Sequence, residues 1–248
     1  MTNPSDFSIK IFADGADLQT ILAMAAKPWV RGFTTNPTLM RKAGISDYAA
    51  FAHSVLDAVS DRPVSFEVFA DDLPTMEEQA REIGSWGPNV YVKVPVTNTR
   101  REFTGPILRR LSQAGVKLNV TALMTVGQVT AVRDNLADGT PAIVSVFAGR
   151  VADTGVDPVG VMRDCLDTLR NRPELELLWA SPRELLNLVQ AEAMGCHIIT
   201  MTNDLLGKLG LLGKNLEDYS LETVEMFYRD AMAAGYRIAQ PLPVPAAV

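Results

Sequence analysis

The chain has 248 residues, 47% of them hydrophobic, and a formal charge of −6. That length suits a single (β/α)8 barrel, for which about 250 residues is typical, and the composition supplies a full core. The acidic balance argues against general nucleic-acid binding and leaves room for a local basic pocket that holds an anion. Two cysteines, Cys165 and Cys196, are too few for a disulfide framework and read as buried thiols in a reducing compartment. Residues 1–8 are polar, without an apolar signal core, and no run approaches the roughly 18 apolar residues of a membrane span. A cytoplasmic protein that uses no membrane is expected.

In chain order, short apolar runs at 9–13, 32–34, 64–69, 90–96, 117–121, 142–147, 175–180 and 196–200 read as strands. Longer segments with helical spacing lie between them. Over 47–60, Tyr48, Phe51, Val55 and Leu56 share one face; 74–85 and 183–193 follow the same pattern. Eight strand–helix units predict a (β/α)8 barrel or a doubly wound sheet, and eight repeats within one domain length favour the barrel. The expected organisation is one α/β domain over 1–248, with the barrel at about 9–210 and an additional C-terminal helix near 221–234. The segment 240–248 carries three prolines and cannot continue that helix. A helix after the eighth unit has no strand left to cover, so it either caps the barrel or crosses to a neighbouring subunit.

Side chains alternate between the faces of a strand. Val90, Val92, Val94 and Val96 take one face, suited to the outer helices, which sends Tyr91, Lys93 and Pro95 into the barrel. The same parity turns Ser65 and Glu67, Asn119 and Thr121, Thr34 and Asn36, and Ser145 and Phe147 inward. It also puts Asp14 at the end of the first strand and pairs Trp179 with Ser181 on the inner face of the seventh. A structural barrel core would carry mostly Val, Ile and Leu here. A polar cluster at the C-terminal strand ends, where barrel enzymes do their chemistry, points to catalysis.

The residue types narrow that chemistry. An amine sequestered from water is freed as a nucleophile and can attack a ketone to form an imine. Asp14 and Glu67 supply general acids and bases, and the Thr121 hydroxyl can hold a water between Glu67 and the imine. The two histidines, His53 and His197, lie in no ligand-spaced cluster, so both read as structural and no metal is expected. No GxGxxG or GxxxxGK[ST] run is present, so no cofactor is expected either.

The run Phe33-Thr34-Thr35-Asn36-Pro37-Thr38 resembles the TTNP motif of the transaldolase family. Val92-Lys93-Val94-Pro95-Val96-Thr97 resembles that family's Schiff-base strand. The likeness extends to Asp14, to 119–123, 147–150 and 179–183, and spans about 9–235. It implies a metal-independent class I aldol enzyme on a TIM barrel, acting on sugar phosphates. Lys93 would carry the imine, Asp14 the proton of the hydroxyl at the cleaved bond, and Glu67 with Thr121 the catalytic water. Asn36 and Ser181 would bind the dihydroxyacetone hydroxyls, and Arg150 and Arg183 the distal phosphate. Thr34, Asn119 and Phe147 would complete the substrate pocket. Within the family, fructose 6-phosphate aldolases carry a glutamine where this chain has Glu67 and a tyrosine where it has Phe147. The resemblance therefore leans toward transfer of the three-carbon unit over its release, although the short length matches the aldolase branch. Ser181-Pro182-Arg183 departs from the family in having proline where an aromatic is expected. The resemblance also implies a homo-oligomer, such as a pentameric or decameric ring, with the last helix exchanged between subunits. The opposing reading is a catalytically silent barrel that binds sugar phosphates.

Overall fold

The computed structural model describes residues 4–238. The barrel unit runs to Leu209, and the segment from Gly210 onward forms a second unit, taken separately below. The strands are β1 (Lys10–Asp14), β2 (Val30–Thr34), β3 (Val64–Glu67), β4 (Val90–Pro95), β5 (Leu118–Leu123), β6 (Ala142–Val146), β7 (Leu175–Trp179) and β8 (Ile198–Thr202). All pair in parallel with their sequence neighbours, and β8 pairs with β1 to close the barrel. Among the crossovers, α1 (Leu18–Ala25) follows β1, and α2 (Pro37–Lys42) and α3 (Tyr48–Ala58) follow β2. Then α4 (Leu73–Ser85), α5 (Gly105–Gln113) and α6 (Val126–Arg133) follow β3, β4 and β5. The sixth crossover holds α7 (Ala148–Asp153) and α8 (Pro158–Leu169), the seventh α9 (Leu186–Ala193), and α10 (Asn203–Leu206) follows β8.

Local sequence explains where many helices begin. The side chains of Asp17, Asn36, Asp47, Asp72, Thr125 and Asp157 each accept a hydrogen bond from a first-turn N–H, satisfying a donor the helix leaves unpaired. Thr125 and Gln128 form a reciprocal capping box. Strand ends differ from the periodicity reading by a few residues. β2 begins at Val30, because exposed Arg31 masks an otherwise buried strand. β3 stops at Glu67, and β8 is displaced two residues along the chain. β5 runs on to Leu123 through a register shift after Val120, with Ala122 at a φ of +64°.

The barrel interior is apolar in its middle. Phe12, Ile143, Leu178, Ala180 and Ile198 form one buried cluster, with Tyr91 and Phe147 packed on it. Residues from β1, β4, β6, β7 and β8 can meet in this way only inside the barrel. This corrects the reading of β7: Leu178 and Ala180 face inward, so Trp179 takes the outer face. It is fully buried there, and its indole Nε1 has no hydrogen-bond partner. The alternation failed because Leu175, Leu177, Leu178 and Trp179 are apolar on both faces. Only Glu176 marked the inner parity, and it pairs with Lys10 at 2.7 Å at the N-terminal end of the strands.

In the second unit, α11 (Leu216–Ala234) begins five residues before the expected start. Asn215 caps it by accepting from the Glu217 and Asp218 amides, and Gly235 ends it in the left-handed conformation, φ +66°. None of its residues is buried. The proline-containing segment 240–248 lies outside the described residues. Among those residues no helix is long and apolar enough to cross a membrane. Cys165 and Cys196 are buried and unpaired, and burial pushes both thiols up to about 12.

Gly32 leaves the space that the Phe12 ring fills: a Cβ there would lie 2.5 Å from the ring. Gly32→Ala is expected to destabilise the barrel by about 1–3 kcal/mol, the usual range for overpacking, read as a lower urea midpoint at unchanged m-value. A midpoint equal to wild type would show that Phe12 is not locked in place.

Candidate active site

Lys93 is 6% exposed, and its Nζ lies 3.1 Å from Glu67 Oε2 while donating to the Thr35 carbonyl at 2.8 Å. Strand register sets the first contact: Glu67 and Lys93 are paired neighbours on β3 and β4, on the inward face of both. The second comes from the residue just past β2, whose carbonyl is no longer used by the sheet.

Asp14 ends β1 in register with Thr34 of β2 and Thr202 of β8. The Thr34 hydroxyl donates to Asp14 Oδ1 at 2.8 Å and also meets the Thr200 hydroxyl. Asn36 reaches Asp14 Oδ2 only loosely, at 3.5 Å, and uses its carbonyl oxygen to cap α2 on the Leu39 amide. Asn36 thus serves a local turn and faces the site at once. Burial raises the Asp14 carboxyl above its ordinary pKa. The Lys93 charge and the Thr34 hydrogen bond pull it down, and the Glu67 charge pushes it up. Asp14, Lys93 and Glu67 therefore share one electrostatic neighbourhood.

On the next strands, Asn119 is fully buried, donating to Ser65 Oγ at 3.0 Å and accepting from Ser145 Oγ at 2.6 Å. This chain ties β3, β5 and β6 together across the interior. Thr121 is buried in register with Pro95. The bulge that follows it puts a non-glycine residue, Ala122, into the left-handed region. Such strain costs about 1–3 kcal/mol and persists only where surroundings enforce it.

The remaining predicted residues gather over β6 and β7. Phe147 precedes α7 with its ring on the interior cluster, and the Arg150 guanidinium lies 5.6 Å from that ring. Arg183 donates from Nη1 to Ser181 Oγ at 2.9 Å and turns its Nε and Nη2 edge onto the Asp153 carboxylate. Arg183 holds Asp153 below the usual carboxylate range through that hydrogen-bonded pair, and Arg150 adds to the effect. Proline at 182 therefore leaves Arg183 beside Ser181. The segment around it is also closed by Asn187, which accepts from the Arg183 and Glu184 amides. This is why α9 starts at Leu186, later than periodicity suggested. Gly149 makes the approach possible, since a Cβ there would fall 1.6 Å from the Ser181 carbonyl oxygen.

The histidines stand apart. His197 accepts from the Leu177 amide through Nδ1, and His53 lies exposed on α3 against Trp86. Among the described residues no group of His, Cys, Asp and Glu could hold a metal ion.

Residues 11–238 match the Transaldolase/Fructose-6-phosphate aldolase family. A protein of Dehalococcoides mccartyi named "Probable transaldolase" is 37% identical over 194 residues, 78% of this chain and 86% of that one. Another so named, from Thermoanaerobacter sp., is 30% identical over 231 residues, 93% of this chain and 100% of that one. The chain belongs to the Transaldolase/Fructose-6-phosphate aldolase family. Solved structures share the fold at low identity. A putative lyase/mutase from Burkholderia cenocepacia has a TM-score of 0.58 at 14% identity, covering 96% of this chain and 89% of its own. KGPDC from Streptococcus mutans has a TM-score of 0.54 at 9% identity, covering 79% and 88%.

For this family member, sequence reading missed Thr200, Asp153, Gly149 and Tyr48. Thr200 was within reach, since it shares the inner parity of Ile198. Asp153 follows Arg150 by one helical turn, but pairing with Arg183 crosses between two crossovers and leaves no local pattern.

Ionised Asp14 costs stability that grows as pH rises from about 4, the ordinary carboxylate value, through the raised folded value. Asp14→Asn is expected to raise the urea midpoint over wild type at pH 7. The gain should vanish in acid, where Asp14 is protonated in folded and unfolded chains alike. Turnover should fall about 100-fold or more if, as the resemblance implies, Asp14 carries the proton at the cleaved bond. A variant destabilised at pH 7 would show that burial does not dominate at Asp14.

Proposed function

We propose that the protein transfers a dihydroxyacetone unit from a ketose phosphate, such as fructose 6-phosphate or sedoheptulose 7-phosphate, to an aldose phosphate through a Schiff base on Lys93. The single observation that carries this reading is a buried lysine amine 3.1 Å from a carboxylate, at the end of the barrel where a second, burial-raised carboxyl also sits.

In this reading Glu67 accepts a proton from Lys93, and the amine attacks the C2 ketone. Glu67 returns the proton as water leaves the carbinolamine, giving the protonated imine. Asp14 takes the proton of the C4 hydroxyl. The C3–C4 bond breaks, its electron pair moves into the enamine, and an aldehyde departs. The enamine then attacks the acceptor aldehyde, and Asp14 gives its proton to the new hydroxyl. Water held by Glu67 and Thr121 hydrolyses the imine and releases the product ketose. Asn36 and Ser181 hold hydroxyls, Asn119 braces the pocket wall through Ser65 and Ser145, and Thr34 orients Asp14. Phe147 offers no proton to the enamine, which favours transfer over release of free dihydroxyacetone.

Arg150 and Arg183 take the distal phosphate, an assignment supported by their convergence through Asp153. A guanidinium suits such an oxyanion. The buried thiols suit a reducing, intracellular setting. A homo-oligomer is also proposed, supported by exposed Leu221, Val224, Phe227 and Tyr228 on α11.

Borohydride with fructose 6-phosphate is expected to add a three-carbon unit irreversibly to Lys93, located by mass spectrometry, and Lys93→Met should abolish both adduct and turnover. Binding without adduct would favour the silent barrel. Product formed without erythrose 4-phosphate as acceptor would favour the aldolase.

Arg150→Ala should raise KM for phosphorylated donors about 10- to 100-fold, the worth of one charge-assisted contact. The rate with unphosphorylated ketoses should stay nearly unchanged. Equal losses on both substrates would remove the phosphate assignment.

A further inference from the structure

The β2–β3 ladder stops one step early, and the groups it leaves behind are those that meet the lysine. Up to that point the bonding is regular: the Phe33 amide donates to the Pro63 carbonyl and the Thr35 amide to the Ser65 carbonyl. Register pairs are limited to Phe33 with Val64 and Thr34 with Ser65. In a continuing parallel ladder the next bond would run from the Glu67 amide to the Thr35 carbonyl. That bond is absent. The Thr35 carbonyl instead accepts from Lys93 Nζ at 2.8 Å. The Glu67 amide donates at 2.7 Å to the Tyr48 hydroxyl, which in turn donates to the Glu67 carbonyl at 2.9 Å. A phenol oxygen can do both.

We infer that Tyr48 is a positioning residue: its hydroxyl occupies both backbone groups of Glu67 in place of a strand. It thereby holds the β2–β3 ladder open, so that the Thr35 carbonyl stays with Lys93 and the Glu67 carboxylate stays beside it. Tyr48 is the first residue of α3, fixed by the Asp47 cap. Its ring is wedged edge-on against Phe66 and Phe69, with Trp86 alongside, so the hydroxyl has little freedom to swing away. Burial holds its hydroxyl well above the ordinary phenol range, so it remains a donor at any working pH. With the hydroxyl removed, the Glu67 amide is a buried donor without a partner, and the nearest acceptor along the ladder is the carbonyl that Lys93 uses. Closing that bond takes Thr35 from the lysine and draws Glu67 toward β2.

This inference rests on Lys93 and Glu67 acting as proposed above. Tyr48→Phe should lower kcat about 10- to 100-fold, the scale of a misplacement near 1 Å. KM should change less than about threefold, since the phosphate end lies over β6 and β7. The rate of borohydride trapping should fall in step with kcat. In a Glu67→Gln background the same substitution should cost less than in the wild type, because one of the two groups it positions is already disabled. In the wild type, hydrogen exchange should show the Glu67 amide protected as well as that of Val68, a measurement that needs no variant to fold. The wedge is overturned alone if trapping is normal and Tyr48→Phe keeps its kcat, if its cost is the same with Gln at 67, or if the Glu67 amide exchanges like an open loop. A wild type that borohydride never traps overturns the wedge together with the proposed reaction.

Discussion

A lysine ammonium inside a barrel must be held by oxygen atoms, and those oxygens must come from somewhere the fold does not need them. Lys93 meets one carboxylate, set beside it by strand register, and one main-chain carbonyl, released by an irregularity in the sheet. The carboxylate belongs to the last residue of β3. The carbonyl belongs to the residue beyond β2, where the chain leaves the barrel wall to start α2. A regular barrel would consume that carbonyl in its ladder and leave Nζ with a single partner in a poorly solvated space, which is costly for a charge.

The two ends of the proposed substrate face different kinds of support. Near Lys93 the contacts are set by strand register, which allows little play: Asp14 with Thr34, Glu67 with Lys93, Thr121 with Pro95. Over β6 and β7 the contacts come from crossover segments, α7 and the turn before α9, pressed together at Gly149. There Asp153 holds the Arg183 guanidinium edge in place. Arg183 and Asp153 are each about half exposed, so their pairing is screened and weak. In the proposed reaction an incoming phosphate would share or displace it at small cost. In that reading precision is placed where bonds change, and adaptability where a distal group is only held.

Much of this was legible in the amino-acid order. Eight alternations of short apolar runs and helical spacing give the barrel, and strand parity puts Lys93, Glu67, Asp14, Asn119 and Thr121 on one inner face. The resemblance of the TTNP and VKVPVT runs adds the reaction class. Parity misled at β7, because a strand with apolar residues on both faces has no alternation to read, and it placed Trp179 inside. It was also blind to contacts made by breaking regularity. Tyr48 looked like one more apolar residue on the face of α3, since nothing in a helical pattern tells a packed phenyl ring from a phenol whose oxygen completes a sheet. Asp153 and Gly149 escaped for a related reason. Their partners lie in a different crossover, and only closure of the barrel brings them together.

The apolar middle of the barrel makes the polar end usable. Phe12 fills the space left by Gly32 and joins Ile143, Leu178, Ala180 and Ile198 in a plug beneath the site. Below it the Lys10–Glu176 pair faces the opposite end. This packing screens Lys93 from the opposite end of the barrel. Asp14 lies above this plug, which is why burial outweighs the nearby lysine in raising its carboxyl. A bound sugar would complete the enclosure and strengthen every charge interaction within it. Thinning the plug would admit water from below and weaken the site without touching any residue that meets the substrate.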